Sequence, residues 1–364
     1  MKASIAASLF GILILFLSCL LLWNNEGRAI KTARGLAEGS AAMISVVSTK
    51  ANPENETKLV HLSGDTVTGK ALEDAAFGIK RPALRLARKV EMYQWKEKSE
   101  TSFQETNNGK TGTTVYTYDK VWDEKPIDSA AFNQPLDHIN PTPWRFSSDR
   151  WVAKDAHIGA FQLPESLVGK LEGEHKLALG ETDYALQEPN PPQLRDGGLY
   201  FGANPLIPAI GDLRVNWQIL DPGPYSVVGR QSGSSITPYP TKAGTQIELV
   251  ATGNVPAVVM FEQAVKENIA LTWGMRIFGT LFMFAGIRLL FNPLAVLGRV
   301  VPFISRLLQA GITLFCAVLA AMVSLVVMGS AWFAYRPLLT IVLLVVAAAL
   351  GIGVGMKYRK TAIG

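Results

Sequence analysis

Residues 5–23 read IAASLFGILILFLSCLLLW, an uninterrupted apolar run, and Asn24-Asn25-Glu26 follows at once. A helix needs about 20 apolar residues to cross a bilayer, whereas a cleavable signal has a shorter core that ends in small residues. The bulky and then polar sequel therefore predicts an uncleaved anchor over residues 1–23. Phe16-Leu17-Ser18-Cys19 faintly resembles a lipoprotein box, but Leu20-Leu21-Leu22-Trp23 stands where a lipidated end would turn polar, so Cys19 reads as a cysteine buried in a span.

Three further stretches have the same character: Trp273–Phe291, Leu307–Ala334 and Leu338–Met356. The fold class expected is an α+β membrane protein, with four transmembrane helices and a large strand-rich extracytoplasmic domain between the first and second. The divisions are the anchor, a mainly β domain with a helical stalk (24–256) and a helix continuing into the second span (257–291). A cytosolic interfacial loop (292–306), spans three and four (307–356) and a basic tail (357–364) complete the chain.

Charge is segregated in the same way. All 30 acidic residues and 26 of the 35 basic ones lie between Glu26 and Glu267, a net of −4 for that interval, so the overall +5 comes from the membrane-flanking segments. A basic total of this origin is no sign of nucleic acid, which would need a clustered basic face. Lys and Arg accumulate on the cytosolic side of short loops. Lys2, the pair Arg299 and Arg306, and the tail bases Lys357, Arg359 and Lys360 therefore put both termini and the second loop in the cytosol. The large domain and the turn Tyr335-Arg336-Pro337 fall on the other side. The loop itself, with Leu294, Leu297, Val300, Val301 and Ile304 broken by Pro302, reads as an interfacial helix or a short connector along the bilayer.

Glu26–Gly39 has apolar Ile30, Ala33, Leu36 and Ala37 at helical spacing, opposed by Arg28, Lys31, Arg34 and Glu38, which predicts a helical stalk. Beyond Ser48 short alternating runs predict strands at Lys58–Val67, Lys89–Phe103, Thr113–Trp122, Gly198–Gly202, Asp212–Ile219, Ser226–Gln231 and Thr245–Ala251. Val90–Phe103 and Thr113–Trp122, joined through Asn107-Asn108-Gly109, make the clearest hairpin. Tyr93, Trp95, Tyr116, Tyr118 and Trp122 on its arms are expected to pack the sheet rather than stack on bases, since no basic cluster interleaves with them. From Ala257, after Asn254 and Pro256, the spacing Val258, Phe261, Val265, Ile269 predicts a helix running without a breaker into Trp273, its apolar face turned to the domain.

The search for chemistry is negative. His61, His138, His157 and His175 lack metal-ligand spacing, no nucleophile elbow or phosphate loop occurs, and the only cysteines, Cys19 and Cys316, lie in apolar runs. No catalytic, cofactor or metal residue is expected, and no cofactor. The charges of interest are Arg276 and Arg288, each near an end of the second span, because an ionised group in hydrocarbon is costly. Snorkelling accounts for both, an aqueous cavity being the rival, and no Asp or Glu falls in any span as delimited above. Trp273, Arg336 and Ile269 join them as structural or coupling candidates.

Several segments carry a family resemblance: Asn25-Glu26-Gly27-Arg28-Ala29, Val90-Glu91-Met92-Tyr93-Gln94-Trp95, Gly211-Asp212-Leu213-Arg214-Val215, Thr272-Trp273-Gly274 before Arg276, and Tyr335-Arg336-Pro337-Leu338. With these in one order and the same span layout, the chain resembles the transmembrane protein 43 family, whose animal member is also called LUMA. The resemblance implies four spans with the large domain between the first two. In animals it further implies the endoplasmic reticulum and inner nuclear membrane, self-association, and links to emerin and lamins; channel-like activity has also been suggested for the family. Alanine-rich spans and a compact tail point to a bacterial member, with an inner-membrane location, a periplasmic domain and no lamina. A eukaryotic member would have a luminal domain.

The function expected is thus a non-enzymatic, self-associating integral membrane scaffold that organises membrane or envelope proteins. Its partners would be membrane lipids, further copies and other membrane proteins, with no nucleic acid. The alternatives are an ion channel or channel regulator, suggested by Arg276 and Arg288, and an envelope lipid- or glycan-binding protein or enzyme using the strand-rich domain.

Overall fold

A computed structural model describes residues 2–106, 109–186, 191–291, 302–337 and 341. The turn Asn107-Asn108, the loop before Pro302, the basic tail and all of the expected fourth span but Ile341 lie outside the described residues. The chain forms two compact units, a helical one (Met1–Ala42, Pro240–Ile247, Val258–Gly364) and a strand-rich one (Met43–Tyr239, Glu248–Ala257).

Three described helices are long and apolar enough to cross a membrane. Helix α1 spans Lys2–Ala42, a short turn α2 spans Glu165–Val168, α3 spans Ala257–Leu290 and α4 spans Pro302–Tyr335. Anchor and stalk are one helix: nothing in Trp23–Gly27 stops it, because the polar Asn25 and Glu26 are buried and partnered rather than left to water. At 1.5 Å per residue, α1 is about 60 Å long and α3 about 50 Å, well beyond a hydrocarbon core of about 30 Å. Helix α4 starts at Pro302, earlier than the expected boundary at 307. A proline costs a helix nothing at its first position, where the missing N–H would have no partner.

Helix α3 buries polar and small residues in place of its predicted apolar stripe. Val258, Val265 and Ile269, expected to pack inward, are exposed, Ile269 at 53%, and of that predicted stripe only Phe261 is buried. The buried face of α3 instead includes Asn268, Thr272, Gly279, Met283, Gly286 and Ile287. Between helices in a bilayer there is little hydrophobic gain, so small residues and hydrogen bonds bring backbones together. A Cβ on Gly11 would lie 2.8 Å from the Gly286 carbonyl oxygen, and one on Gly279 would lie 2.6 Å from Leu22 Cδ2. Helix α4 contributes Cys316, Ala320 and Ser324, again small, around Leu22, Met283 and Ile287. On the stalk part of α1, Gly35 fits under Thr241 and Thr245, and the Lys242 backbone N–H donates to the Glu38 carboxylate.

The strand-rich unit holds two seven-stranded sheets. In one, Leu59–Val67, His157–Ile158, Phe161–Gln162, Ser235–Thr237 and Pro224–Ser232 are neighbours in that order, and the first and last also pair directly, closing a ring. Ile44–Ser45 and Leu249–Thr252 flank it. Its core contains Leu62, Ile158, Phe161, Leu167 and Val227. In the other sheet the long hairpin Arg85–Thr106 and Gly109–Asp123 is laddered to the pair Thr106 and Gly109. Leu213–Leu220 pairs with its first arm, and Gly198–Phe201 and His175–Leu177 pair with Leu213–Leu220. Alternation along Leu213–Leu220 sends Leu213, Val215, Trp217 and Ile219 inward. There the Trp217 indole donates to Asp74 Oδ2 (2.9 Å), and Arg88 donates to Asp74 Oδ1 (2.5 Å). The Arg88 guanidinium also lies over the rings of Phe77 and Trp151, so a buried charge is both paired and wrapped.

Candidate functional site

Three helices supply the most concentrated buried polar chemistry of the helical unit. On α3, Asn268, Thr272 and Arg276 recur every fourth residue and so share one face. Helix α1 meets that face with Asn25, Glu26 and Arg28, and α4 adds Trp332. The Glu26 carboxylate, 1% exposed, takes a fork of two bonds from Arg276: Nε to Oε1 at 2.6 Å and Nη2 to Oε2 at 2.8 Å. The Trp332 indole N–H donates to the same Oε2 at 2.7 Å. One carboxylate thereby ties three helices.

A second layer lies against the first. Arg28 donates to Asn268 Oδ1 (2.9 Å), Asn25 Oδ1 (3.0 Å) and Thr272 Oγ1 (3.0 Å). Asn25 Nδ2 donates to the Thr272 carbonyl, and Asn268 Nδ2 to that of Ala29. Bidentate arginine–carboxylate pairing is strong and orientationally specific, and each buried polar atom here gains a partner, as burial demands. Gly27 is packed against the Tyr335 ring, where a Cβ would fall 2.6 Å from Cζ, and Arg34 donates to the Tyr335 carbonyl. Trp23 and Tyr335 rings lie 6.2 Å apart. With Trp273 and Trp332 they form the kind of aromatic group that gathers at a membrane surface.

Arg276 is thus paired rather than snorkelling, and its partner is a carboxylate three residues past the end of the first span as read from sequence. The face of Trp273 holds its guanidinium at 4.8 Å. Arg336 lies over the Trp332 ring at 5.8 Å. Arg288 is half-buried in the last turn of α3, away from this cluster, and Ile269 is exposed and lines the small cavity beside the cluster. Glu26 and Arg28 stood in the sequence only as members of the Asn25–Ala29 segment and the stalk, not as site residues, and Trp332 was not singled out. The spacing of Asn268, Thr272 and Arg276 was a legible signal for a polar seam, whereas nothing local marks Trp332.

Two cavities flank the cluster. One, about 530 Å³, is an apolar groove between α3 and α4 lined by Ile277, Leu281, Leu325, Met328 and Gly329 and ending at Trp273, Arg276 and Trp332. The other, about 180 Å³, shares those last three residues and adds Glu26, Thr272 and Arg336 among others.

The strand-rich unit has its own polar cavity of about 390 Å³, with Glu91, Lys176, Arg195, Asp196, Arg214 and Asn216 in its lining. Arg214 Nε donates to Glu91 Oε2 at 2.7 Å and stacks on Trp122. Burial works to raise the Glu91 carboxyl, but Arg214 and Lys89 outweigh it and hold its pKa below the usual glutamate value. Nearby, burial and the hydrogen bond to Asp212 raise the Tyr200 phenol well above its ordinary pKa. Of the hairpin aromatics, Tyr93 and Trp122 pack as expected, as cross-strand partners with rings 5.2 Å apart, while Tyr116 is exposed. Trp95 and Tyr118 instead hold His138. Among the described residues no group of three or more His, Cys, Asp or Glu side chains is arranged to hold a metal.

The five segments quoted for the resemblance therefore collect into two places. Asn25–Ala29, Thr272–Arg276 and Tyr335–Arg336 meet at the three-helix cluster. Val90–Trp95 and Gly211–Val215 meet in the second sheet, where Leu213 pairs with Met92 and the Gly211 N–H donates to the Tyr93 carbonyl. A family model described as "Transmembrane protein 43" matches residues 92–337. Transmembrane protein 43 of Mus musculus is 34% identical over 90% of this chain and 84% of its own length. The Homo sapiens protein is 34% identical with the same coverage. The homolog of Drosophila melanogaster is 29% identical over 94% of this chain and 92% of its own. No solved structure matches.

Proposed function

This chain belongs to the transmembrane protein 43 family, and we propose that it works there as a non-enzymatic, self-associating integral membrane scaffold. The observation that carries this reading is how the bundle spends its charges. Glu26, Arg28 and Arg276 are bonded to one another's helices and to neighbouring amides and hydroxyls, an arrangement suited to fixing helices rather than to moving ions or protons. Self-association has a surface available in the lipid-facing residues Phe278, Leu281, Phe315, Val318, Met322 and Val326. Helix packing in lipid draws on van der Waals fit and needs no polar partner.

The orientation follows from the segregated bases, with the strand-rich unit on the non-cytosolic side. Single cysteines at Asn107 and Gly253 should react with an impermeant thiol reagent from outside and one at Leu297 should not; the reverse pattern would refute the topology. For the scaffold, crosslinking of the full chain in native membranes should give discrete species larger than a monomer, while liposomes carrying it stay impermeable to small ions. A monomer at every protein density would defeat the proposal. Ion flux abolished by Arg276→Gln would replace it with the channel reading.

A further inference from the structure

The polar cavity of about 390 Å³ in the strand-rich unit has no part in the helix contacts that carry the scaffold reading. Its floor is the face of the second sheet opposite the core, because residues alternate along a strand. Tyr200, Arg214 and Glu91 stand in register there across three strands, and Asn216 lies two residues along from Arg214. Trp122, Lys176, Arg195, Asp196 and Pro205 contribute to the rest of the lining. Two features prepare this floor to bind. Arg214 is held over Trp122 (4.7 Å) and bonded through Nε to Glu91 (2.7 Å), yet 41% of its side chain stays exposed. A planar fork of donors is thus fixed before any ligand arrives. Asn216 is half-buried, and its amide makes no hydrogen bond to a described residue. Gly198 makes room for it, since a Cβ there would fall 2.4 Å from Asn216 Oδ1. An amide that pairs with nothing in the sheet keeps two donors and an acceptor for whatever enters the cavity.

The lining narrows the chemistry of that ligand. An apolar occupant would bury these polar groups without partners. Glu91 is matched to Arg214 and Asp196 to Arg195 (3.8 Å), and Lys89 bridges Glu91 and Glu124. Lys176 donates to the Asp196 carbonyl. A zwitterion would therefore find no carboxylate without a cation, and a phosphate would find only Lys176 without a carboxylate of its own. Donors and acceptors side by side, with their charges largely spent on one another, suit a ligand whose groups are each donor and acceptor at once. Hydroxyls have that property. The volume stands at the low end of the range for ligand pockets, about 300–1,000 Å³, which gives room for one ring rather than a chain.

We infer that this cavity binds a single sugar unit, its hydroxyls hydrogen-bonded to Arg214, Asn216 and Lys176. The inference stands apart from the scaffold reading, which rests on the helical unit, so the failure of either leaves the other untouched.

The test is saturation-transfer NMR on the full chain in phosphatidylcholine nanodiscs, kept free of glycoside detergent. Glucose, galactose, mannose, N-acetylglucosamine and glucuronate are the probes. At least one should receive saturation from the wild type, and inorganic phosphate should not displace it. Asn216→Ala removes no hydrogen bond to a described residue, so the unfolding midpoint should hold while binding weakens about fivefold or more, the effect of one lost hydrogen bond. Lys176→Met, at an exposed position, should weaken binding likewise and serves if Asn216→Ala fails to fold. Transfer to none of the probes, binding undiminished in a folded variant, or displacement of the sugar by phosphate would each overturn the inference.

Discussion

A carboxylate that accepts from an arginine and from a tryptophan indole is built twice in this chain, once in each unit. In the strand-rich unit Asp74 takes Arg88 and Trp217; in the helical unit Glu26 takes Arg276 and Trp332. The bonds are alike and the surroundings are not. Around Asp74, Phe77, Ile79, Leu86 and Val215 form a core that water drives together, and the polar triad is a guest whose partners must all be present. Glu26 sits just past the first apolar run, where the packing partners are membrane helices that gain little from burying apolar side chains against one another, so the triad and the small residues beside it do the gathering. The same chemistry therefore satisfies a core in one place and assembles helices in the other.

The largest effect is expected at Trp217→Ala. It removes a fully buried indole and a donor to Asp74, and large-to-small changes of this kind cost about 3–5 kcal/mol. Urea or thermal unfolding of the strand-rich unit should report it, with the helical unit retaining its far-UV signal. A loss below about 1 kcal/mol would mean the core does not depend on its largest residue.

Next comes Glu26→Gln. Removing one member of a buried pair in a core costs about 3–5 kcal/mol, but hydrogen bonds between membrane helices average well below that, and Arg276, 18% exposed, has a route to the surface. A loss of about 1–3 kcal/mol in detergent is expected, confined to the helical unit. Combined with Arg276→Gln the loss should be smaller than the two single losses summed, because neither charge is then stranded. Strict additivity would show that Glu26 and Arg276 do not act as a pair.

The smallest effect concerns pH. The folded pKa of Glu91 is depressed, so its contribution is complete above the ordinary glutamate value of about 4.3 and fades as pH falls through the lower folded value. Stability of the strand-rich unit should decline on that acid side, and Arg214→Gln should flatten the decline. A variant as acid-sensitive as the wild type would remove Arg214 from the account.

Much of the secondary structure was readable because it rests on local patterns. The alternation in Leu213–Leu220 and the paired aromatic arms of the hairpin mark strands whatever they pack against. Where the reading failed, the choice of packing partner was the reason. Val258, Val265 and Ile269 were assigned to a buried face by the rule for helices in water, and the helix instead buries Asn268 and Thr272. Glu26 was read as the start of a helical stalk, with no partner assigned to its charge. In the folded chain the run is one helix and the charge is neutralised by a residue 250 positions away.

The sequence by itself determined the apolar stretches, the segregated charge, the strand texture and the five segments that carry the family likeness, since each is a property of neighbours along the chain. Tertiary structure alone decided that Asn25–Ala29, Thr272–Arg276 and Tyr335–Arg336 form one polar cluster, that Val90–Trp95 and Gly211–Val215 form one sheet face, and that Asp74 and Glu26 each gather an arginine and a tryptophan. Partner choice across such separations depends on which groups must be desolvated together, and that is settled only when distant helices and strands close on one another and each buried charge has to find its counterpart.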